Sequence, residues 1–151
     1  MKIALIAVGK ARRDEASALY EHYAKRIRAA IEVREIAEGK GRTAAERMDR
    51  EGQAILAAIP KSAHVVALDP RGKAMTSEAF AALVGKLAEG GKTLTFLIGG
   101  ADGFSDAVRK NADHVLSLGA MTWPHLMVRA MLAEQIYRAE TILAGHPYHR
   151  A

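Results

Sequence analysis

Thr93-Leu-Thr-Phe-Leu-Ile-Gly-Gly-Ala-Asp-Gly103 decides how the rest of the chain is read. Thr93–Ile98 is β-prone and mostly apolar, with no polar alternation, which suits a strand buried on both faces of a parallel sheet. It runs straight into Gly99, Gly100 and Gly103, where the backbone is free to turn and a ligand can come close to the main chain. Ligands of open α/β sheets bind at the carboxyl ends of strands, so the pocket is expected here. The glycine spacing matches neither GxGxxG nor GxxxxGK[ST], so the block reads equally as a ligand loop or a sharp turn.

Outward from this block, strands and helices alternate. Lys2–Val8 is a first strand closed by Gly9. Asp14 can cap a helix over Glu15–Ala29, with Ala16, Leu19, Tyr20, Tyr23 and Ile27 on one face. Ile31–Ile36 alternates and reads as an outer, half-exposed strand. Glu38–Arg42 is expected to be a mobile basic loop, either a solvated connection or an arm in which Lys40 and Arg42 touch phosphate. Thr43–Ile59 is helical, with Thr43 and Glu46 at capping-box spacing, and Pro60 ends it. His64–Leu68 is a buried strand closing at Asp69–Lys73, and Thr76 or Ser77 starts a helix running to Gly90. After the glycine block come a short helix over Ser105–Asn111, a strand at Val115–Leu118, and a long helix from Pro124 to about Ala144. This pattern implies one α/β domain over residues 1–151, a parallel sheet with helices on both faces.

Composition narrows the function classes. Cysteine is absent, which removes disulfides, thiolate zinc sites and a cysteine nucleophile. No apolar run approaches the roughly 20 residues of a membrane span, and the N-terminus reads as a strand and not a signal peptide, so a soluble, cytoplasmic protein with no membrane partner is expected. The 22 Lys+Arg against 17 Asp+Glu give +5, compatible with an ordinary surface or with an RNA partner.

Three loops at strand ends, Leu68–Pro70, Gly99–Gly103 and Leu118–Trp123, are the physical case for one pocket. In the third, Gly119 and Ala120 leave backbone groups free to bond a planar ring, with Leu68, Leu118 and Trp123 as apolar walls; alternatively Met121 and Trp123 only pack the helix start. The tail His146-Pro-Tyr-His-Arg150 crowds two histidines, a tyrosine and an arginine, suited to stacking on an unpaired base and gripping phosphate, unless it is an inert end. His125, His146 and His149 have no acidic or thiolate partner at metal-ligand spacing, so no metal is expected. His22, His64 and His114 read as structural, and Ser105 and Ser117 lack a nucleophile elbow.

Taken together, Met1–Lys10, Leu68-Asp69 with Gly72-Lys73, Leu97–Gly103, Leu116–Leu118, Met121–His125, Arg129, Glu134–Ala139 and the closing His-Pro-Tyr-His-Arg resemble, in order and over the whole chain, the SPOUT-type methyltransferases that act on N3 of a pseudouridine in large-subunit ribosomal RNA. The resemblance implies a C-terminal trefoil knot, S-adenosylmethionine as methyl donor, a working homodimer and a 23S rRNA hairpin as target within the large subunit or assembled ribosome. It places donor contacts at Leu68, Gly99 and the loop Leu118, Gly119, Ala120, Met121, Thr122 and Trp123. It places residues needed for RNA binding or methyl transfer at His125, Glu134, Tyr148, His149 and Arg150, with His125 a candidate proton acceptor. In such a dimer the tail of one subunit is expected to close the other's pocket, with His149 and Arg150 handling the base and its phosphate. Trp123 is bulkier than the Phe or Leu the pattern calls for.

Overall fold

The computed structural model describes residues 1–150; Ala151, the last residue of the expected domain, lies outside them. The strands are β1 (Lys2–Val8), β2 (Ala30–Ile36), β3 (Ala63–Ala74), β4 (Thr93–Ile98) and β5 (His114–Ser117). The helices are α1 (Glu15–Ala24), α2 (Ala44–Ala58), α3 (Ser77–Glu89), α4 (Asp106–Asn111) and α5 (His125–Leu143), followed by a 3-10 turn at Pro147–His149. All strand pairs are parallel, in the order β2-β1-β4-β3-β5.

Period-2 alternation divides each central strand between two cores. Ile3, Leu5, Leu94, Phe96, Val66 and Leu68 face α1, α3 and α5, whereas Ile6, Val8, Leu97, Val65 and Ala67 meet α2 and α4. The expected parallel sheet with helices on both faces is therefore present. β2 is the outer strand expected, but it is mostly exposed and does not alternate: Val33 is exposed, and the part-buried Ile31 and Ile36 meet opposite cores. Among the described residues no helix is long and apolar enough to cross a membrane.

Local chemistry fixes the element ends. Asp14, Thr43, Thr76 and Ser105 each accept the N–H three residues on, capping α1 to α4. The expected capping box is half formed: Thr43 accepts from Glu46 N–H, but the Glu46 carboxylate takes Arg42 N–H.

Three expectations are corrected. The first helix stops at Ala24, not Ala29, because the Glu140 carboxylate on α5 accepts Arg28 N–H at 2.9 Å and Ala29 N–H at 3.0 Å, diverting the chain toward β2. On that helix Leu19 is 48% exposed, not part of the buried face. β3 does not end at Leu68: Leu68 and Lys73 both pair with Leu116, so Asp69–Gly72 stands out of the ladder and the strand resumes to Ala74. Gly72 is pressed onto β5 so closely that a Cβ would lie 2.5 Å from the Val115 carbonyl oxygen.

The loop at Glu38–Arg42 is not the mobile arm expected. Its backbone at Gly39, Lys40, Gly41 and Arg42 is bonded, residue by residue, to side chains of α2. The Lys40 and Arg42 side chains remain exposed.

Candidate functional site

Because the sheet is parallel, all five strands present their carboxyl ends on one edge. There Leu68 pairs with Ile98 on one side and Leu116 on the other, so Leu68–Pro70, Gly99–Gly103 and Leu118–Trp123 leave neighbouring strands side by side, as expected. The connection after β5 then crosses this edge. α5 begins with the His125 ring against Gly9, at the end of β1, where a Cβ would lie 3.2 Å from the imidazole. β5 and β1 are three strand spacings apart, about 14 Å. Ser117 anchors the start of the crossing: its hydroxyl donates to the Pro70 carbonyl at 3.2 Å and accepts Gly119 N–H at 3.1 Å.

A cavity of about 520 Å³ opens beside the end of β5. Tyr23 of α1, Met75 and Phe80 around the start of α3, Leu118 and Gly119, and Glu134 of α5 are among its walls. It is mostly apolar, with one carboxylate, that of Glu134, and a polar pair in which Ser77 donates to Gln135 at 2.8 Å.

The expected site residues do not all fall in one place. Leu118, Gly119 and Glu134 line the cavity. Ala120, Met121, Thr122 and Trp123 lie in the exposed crossing segment; Met121 is 73% exposed, and the Trp123 indole N–H donates back to the Leu118 carbonyl at 3.3 Å. Leu68 and Gly99 are outside the cavity: the Leu68 side chain is in the core, and the Gly99–Gly103 turn packs toward α2, with Gly100 against Val8 and Glu51. The single pocket expected from three loops is thus open at one of them, and the glycine turn is held from the opposite face of the sheet.

The tail folds back onto α5. The Tyr148 hydroxyl donates to Glu134 Oε1 at 3.1 Å, the Arg138 guanidinium donates to the same oxygen at 2.6 Å, and Arg138 lies over the Tyr148 ring at 5.2 Å. Tyr137 meets Tyr148 edge-on at 4.6 Å. Burial, reinforced by Tyr23 and Glu134, pushes the Tyr148 phenol well above its ordinary range, so it stays a donor. His149 is partly buried, with Nδ1 lacking a partner among the described residues, and Arg150 is exposed.

His125 belongs to a different cluster. Buried Arg129 donates from Nε to His125 Nε2 at 3.3 Å, from Nη1 to Glu35 at 2.9 Å and from Nη2 to the Gly9 carbonyl at 3.0 Å. With Nε2 accepting, the neutral ring carries its proton on Nδ1. Burial, then the adjacent Arg129, lowers the His125 pKa, with Glu35 and Glu38 opposing. Burial alone would raise the Glu35 carboxyl, but the Ala11 N–H and Arg129 outweigh it and hold it low.

Sequence reasoning did not single out Arg129 and Arg138 as site residues, although each stands four residues after the residue it supports, the spacing that brings side chains together on a helix. Nor did it find Arg47, which forks onto Asp102 of the glycine turn at 2.9 and 3.3 Å.

A family model described as "Predicted SPOUT methyltransferase" matches residues 1–149. The chain belongs to the SPOUT methyltransferases. Relatives cover it end to end: a "Ribosomal RNA large subunit methyltransferase H" of Rhodospirillum centenum is 49% identical over 153 residues, with 100% of both chains covered. One of the same name from Xanthobacter autotrophicus is 48% identical over 160 residues, again with 100% of both covered. Among solved structures, the SpoU methyltransferase AviRb from Streptomyces viridochromogenes aligns with a TM-score of 0.51 at 13% identity, over 96% of this SPOUT chain and 61% of that one. A structure of the same protein in complex with AdoMet aligns at 0.50 and 14% identity, over 92% and 58%. At that identity the likeness is one of fold, and the SPOUT chain here spans about three-fifths of the larger protein.

Proposed function

We propose that this SPOUT chain transfers a methyl group from S-adenosylmethionine to N3 of a pseudouridine in 23S ribosomal RNA, working as a homodimer on the large subunit or the assembled ribosome. The observation that carries the reading is the end-to-end similarity to large-subunit ribosomal RNA methyltransferases at close to half identity.

The residues present fit the donor. The cavity has the size of a cofactor pocket and the usual mix of apolar walls and few polar groups. Its one carboxylate, Glu134, is already neutralised by Arg138, so the cavity offers the donor apolar walls, and the loop above it exposes main chain at Gly119 and Ala120. Leu118 and Gly119 at the cavity wall, with Leu68, Gly99, Ala120, Met121, Thr122 and Trp123 on the strand-end loops outside it, are assigned to holding the donor, so its site extends from the cavity along the sheet edge. When bound, the donor supplies a methyl already carried on a positively charged sulfur, so the protein's main task is alignment.

Glu134, fixed by Arg138, holds Tyr148 at the cavity rim, which brings the start of the His149-Arg150 pair there. Arg150, exposed and always charged, is assigned to phosphate, and His149 to the target base. The N3 proton must leave as the methyl arrives. The His125 acceptor nitrogen already receives the Arg129 N–H, so a base at that position would first have to break this bond. The described tail sits at its own chain's cavity rim through Tyr148 and Glu134; in the dimer we assign His149 and Arg150 beyond it to closing the partner's pocket. Exposed Met127 and Leu143 are apolar surface that a second copy would cover. The crossing from β5 to β1 supports a knotted C-terminal segment, since that stretch must pass the loops of β3 and β4.

The test is a chain ending at Gly145. Calorimetry should show S-adenosylmethionine binding close to that of the full chain, while methylation of ribosomes bearing the pseudouridine is abolished. Full methylation by the truncated chain, or equal methylation of a uridine at that site by the full one, would overturn the reading.

A further inference from the structure

The glycine turn Gly99–Gly103 is fixed from outside. Its own bond is a single one, Gly103 N–H to the Gly100 carbonyl at 3.0 Å, and three of its five residues are glycines, which lose the most freedom on ordering. The restraint comes from α2. Arg47 sends Nε to one Asp102 oxygen at 2.9 Å and Nη2 to the other at 3.3 Å, a two-pronged grip on the one charged side chain of the turn. One turn later, Glu51 is 5% exposed, and one of its oxygens has no partner among the described residues and lies against Gly100, where a Cβ would come within 2.8 Å.

The same helix face grips the loop after β2 in antiparallel order. Gly39 N–H donates to Glu51, Arg50 to the Lys40 carbonyl, Arg47 to the Gly41 carbonyl, and Arg42 N–H to Glu46, at 2.8, 2.5, 3.3 and 2.9 Å. Arg47 therefore touches both segments at once. An isolated surface ion pair contributes little, but here both partners are mostly covered, at 35% and 24% side-chain exposure, and the pair sits between two loops on the edge that carries the site.

We infer that Arg47 is a positioning residue for the donor site: by clamping Asp102 it holds the Gly99–Gly103 turn in the shape that receives S-adenosylmethionine, and it ties that turn to the loop that displays Lys40 and Arg42. This rests on the function proposed above. Without the clamp, the donor would have to order the turn as it binds.

Arg47→Ala in the full chain is expected to raise the KM for S-adenosylmethionine about tenfold, the factor set by ordering one further backbone residue on binding. kcat at saturating donor should be unchanged. Asp102→Ala should do the same, and the double variant should be no worse than either single one, because the two side chains act as one unit. Arg47→Lys, which keeps the charge but not the fork, should fall between. Unchanged donor affinity in Arg47→Ala, additive losses in the double variant, or a fall in kcat alone would overturn the inference. If the unaltered chain bound S-adenosylmethionine and Arg47→Ala bound it equally, only this inference would fail; if the unaltered chain did not bind it, the proposed function would fall as well.

Discussion

Arg129 reaches three elements from one buried side chain: its own helix through His125, β2 through Glu35, and the end of β1 through the Gly9 carbonyl. Removing the guanidinium leaves the Glu35 carboxylate with only the Ala11 N–H and the Gly9 carbonyl without its side-chain donor. Arg129→Met should therefore destabilise the fold by about 2–3 kcal/mol, less than the ~3–5 kcal/mol of a wholly buried pair, because a third of the Glu35 side chain is exposed. Urea unfolding checks this, and a shift under about 0.5 kcal/mol would mean the network contributes little. At this scale the sequence was readable where a residue acts through its neighbours in the chain, as Asp14, Thr43 and Thr76 do in capping helices. It was silent where a side chain bonds a partner 50 to 120 positions away, as Arg47 does with Asp102, and Arg129 with Gly9.

At the scale of elements, the break in β3 is the feature with most leverage. Gly72 lies where β5 allows no side chain, so Gly72→Ala must push β5 off its partner; about 1–3 kcal/mol of stability should be lost. Amide exchange over His114–Ser117 should speed up more than exchange in β1, and equal protection in both would show that the strand gives way without cost. The loop after β2 makes a second test. Its backbone is tied to α2 while the Lys40 and Arg42 side chains are exposed, so replacing both by Ala should leave the fold intact. RNA affinity should fall, and its salt dependence should become shallower by about 0.7–0.9 in slope for each phosphate that is no longer neutralised. An unchanged slope would mean that neither cation meets phosphate. Every helix and strand could be read from periodicity and caps, yet the end of α1, the resumption of β3 and the anchoring of the basic loop could not. Each depends on a neighbour supplied by the tertiary fold, such as Glu140 drawing the chain out of α1.

For the whole molecule, acid acts at both ends of the sheet. His125 sits on the carboxyl edge and His64 on the opposite one, next to His114 and Asp113. Burial lowers the pKa of each, so the folded chain binds fewer protons there than the unfolded chain does. Stability should hold above about pH 6.5 and decline as pH falls below it. A second decline should begin below about pH 4, where the Arg-paired Asp102 and Asp106 carboxyls, held low in the fold, take up protons. Urea midpoints that stay flat from pH 7.5 to 5.5 would contradict the histidine part. Strand alternation made the α/β class legible, and the adjacency of three strand ends followed from it. The cavity's true walls did not, because strand order and the path from β5 to β1 are properties of the assembled sheet.

That path has a bearing on how the protein comes into being. The first strand to be synthesised and the last helix meet at Gly9 and His125, more than a hundred residues apart in the chain. A nascent polypeptide cut short before His125 would have most of the sheet but neither α5 nor the wall it contributes to the cleft. Closing so long a loop is a late and slow event in folding. The cavity to which we assign the donor is therefore complete only once α5 has docked onto the sheet.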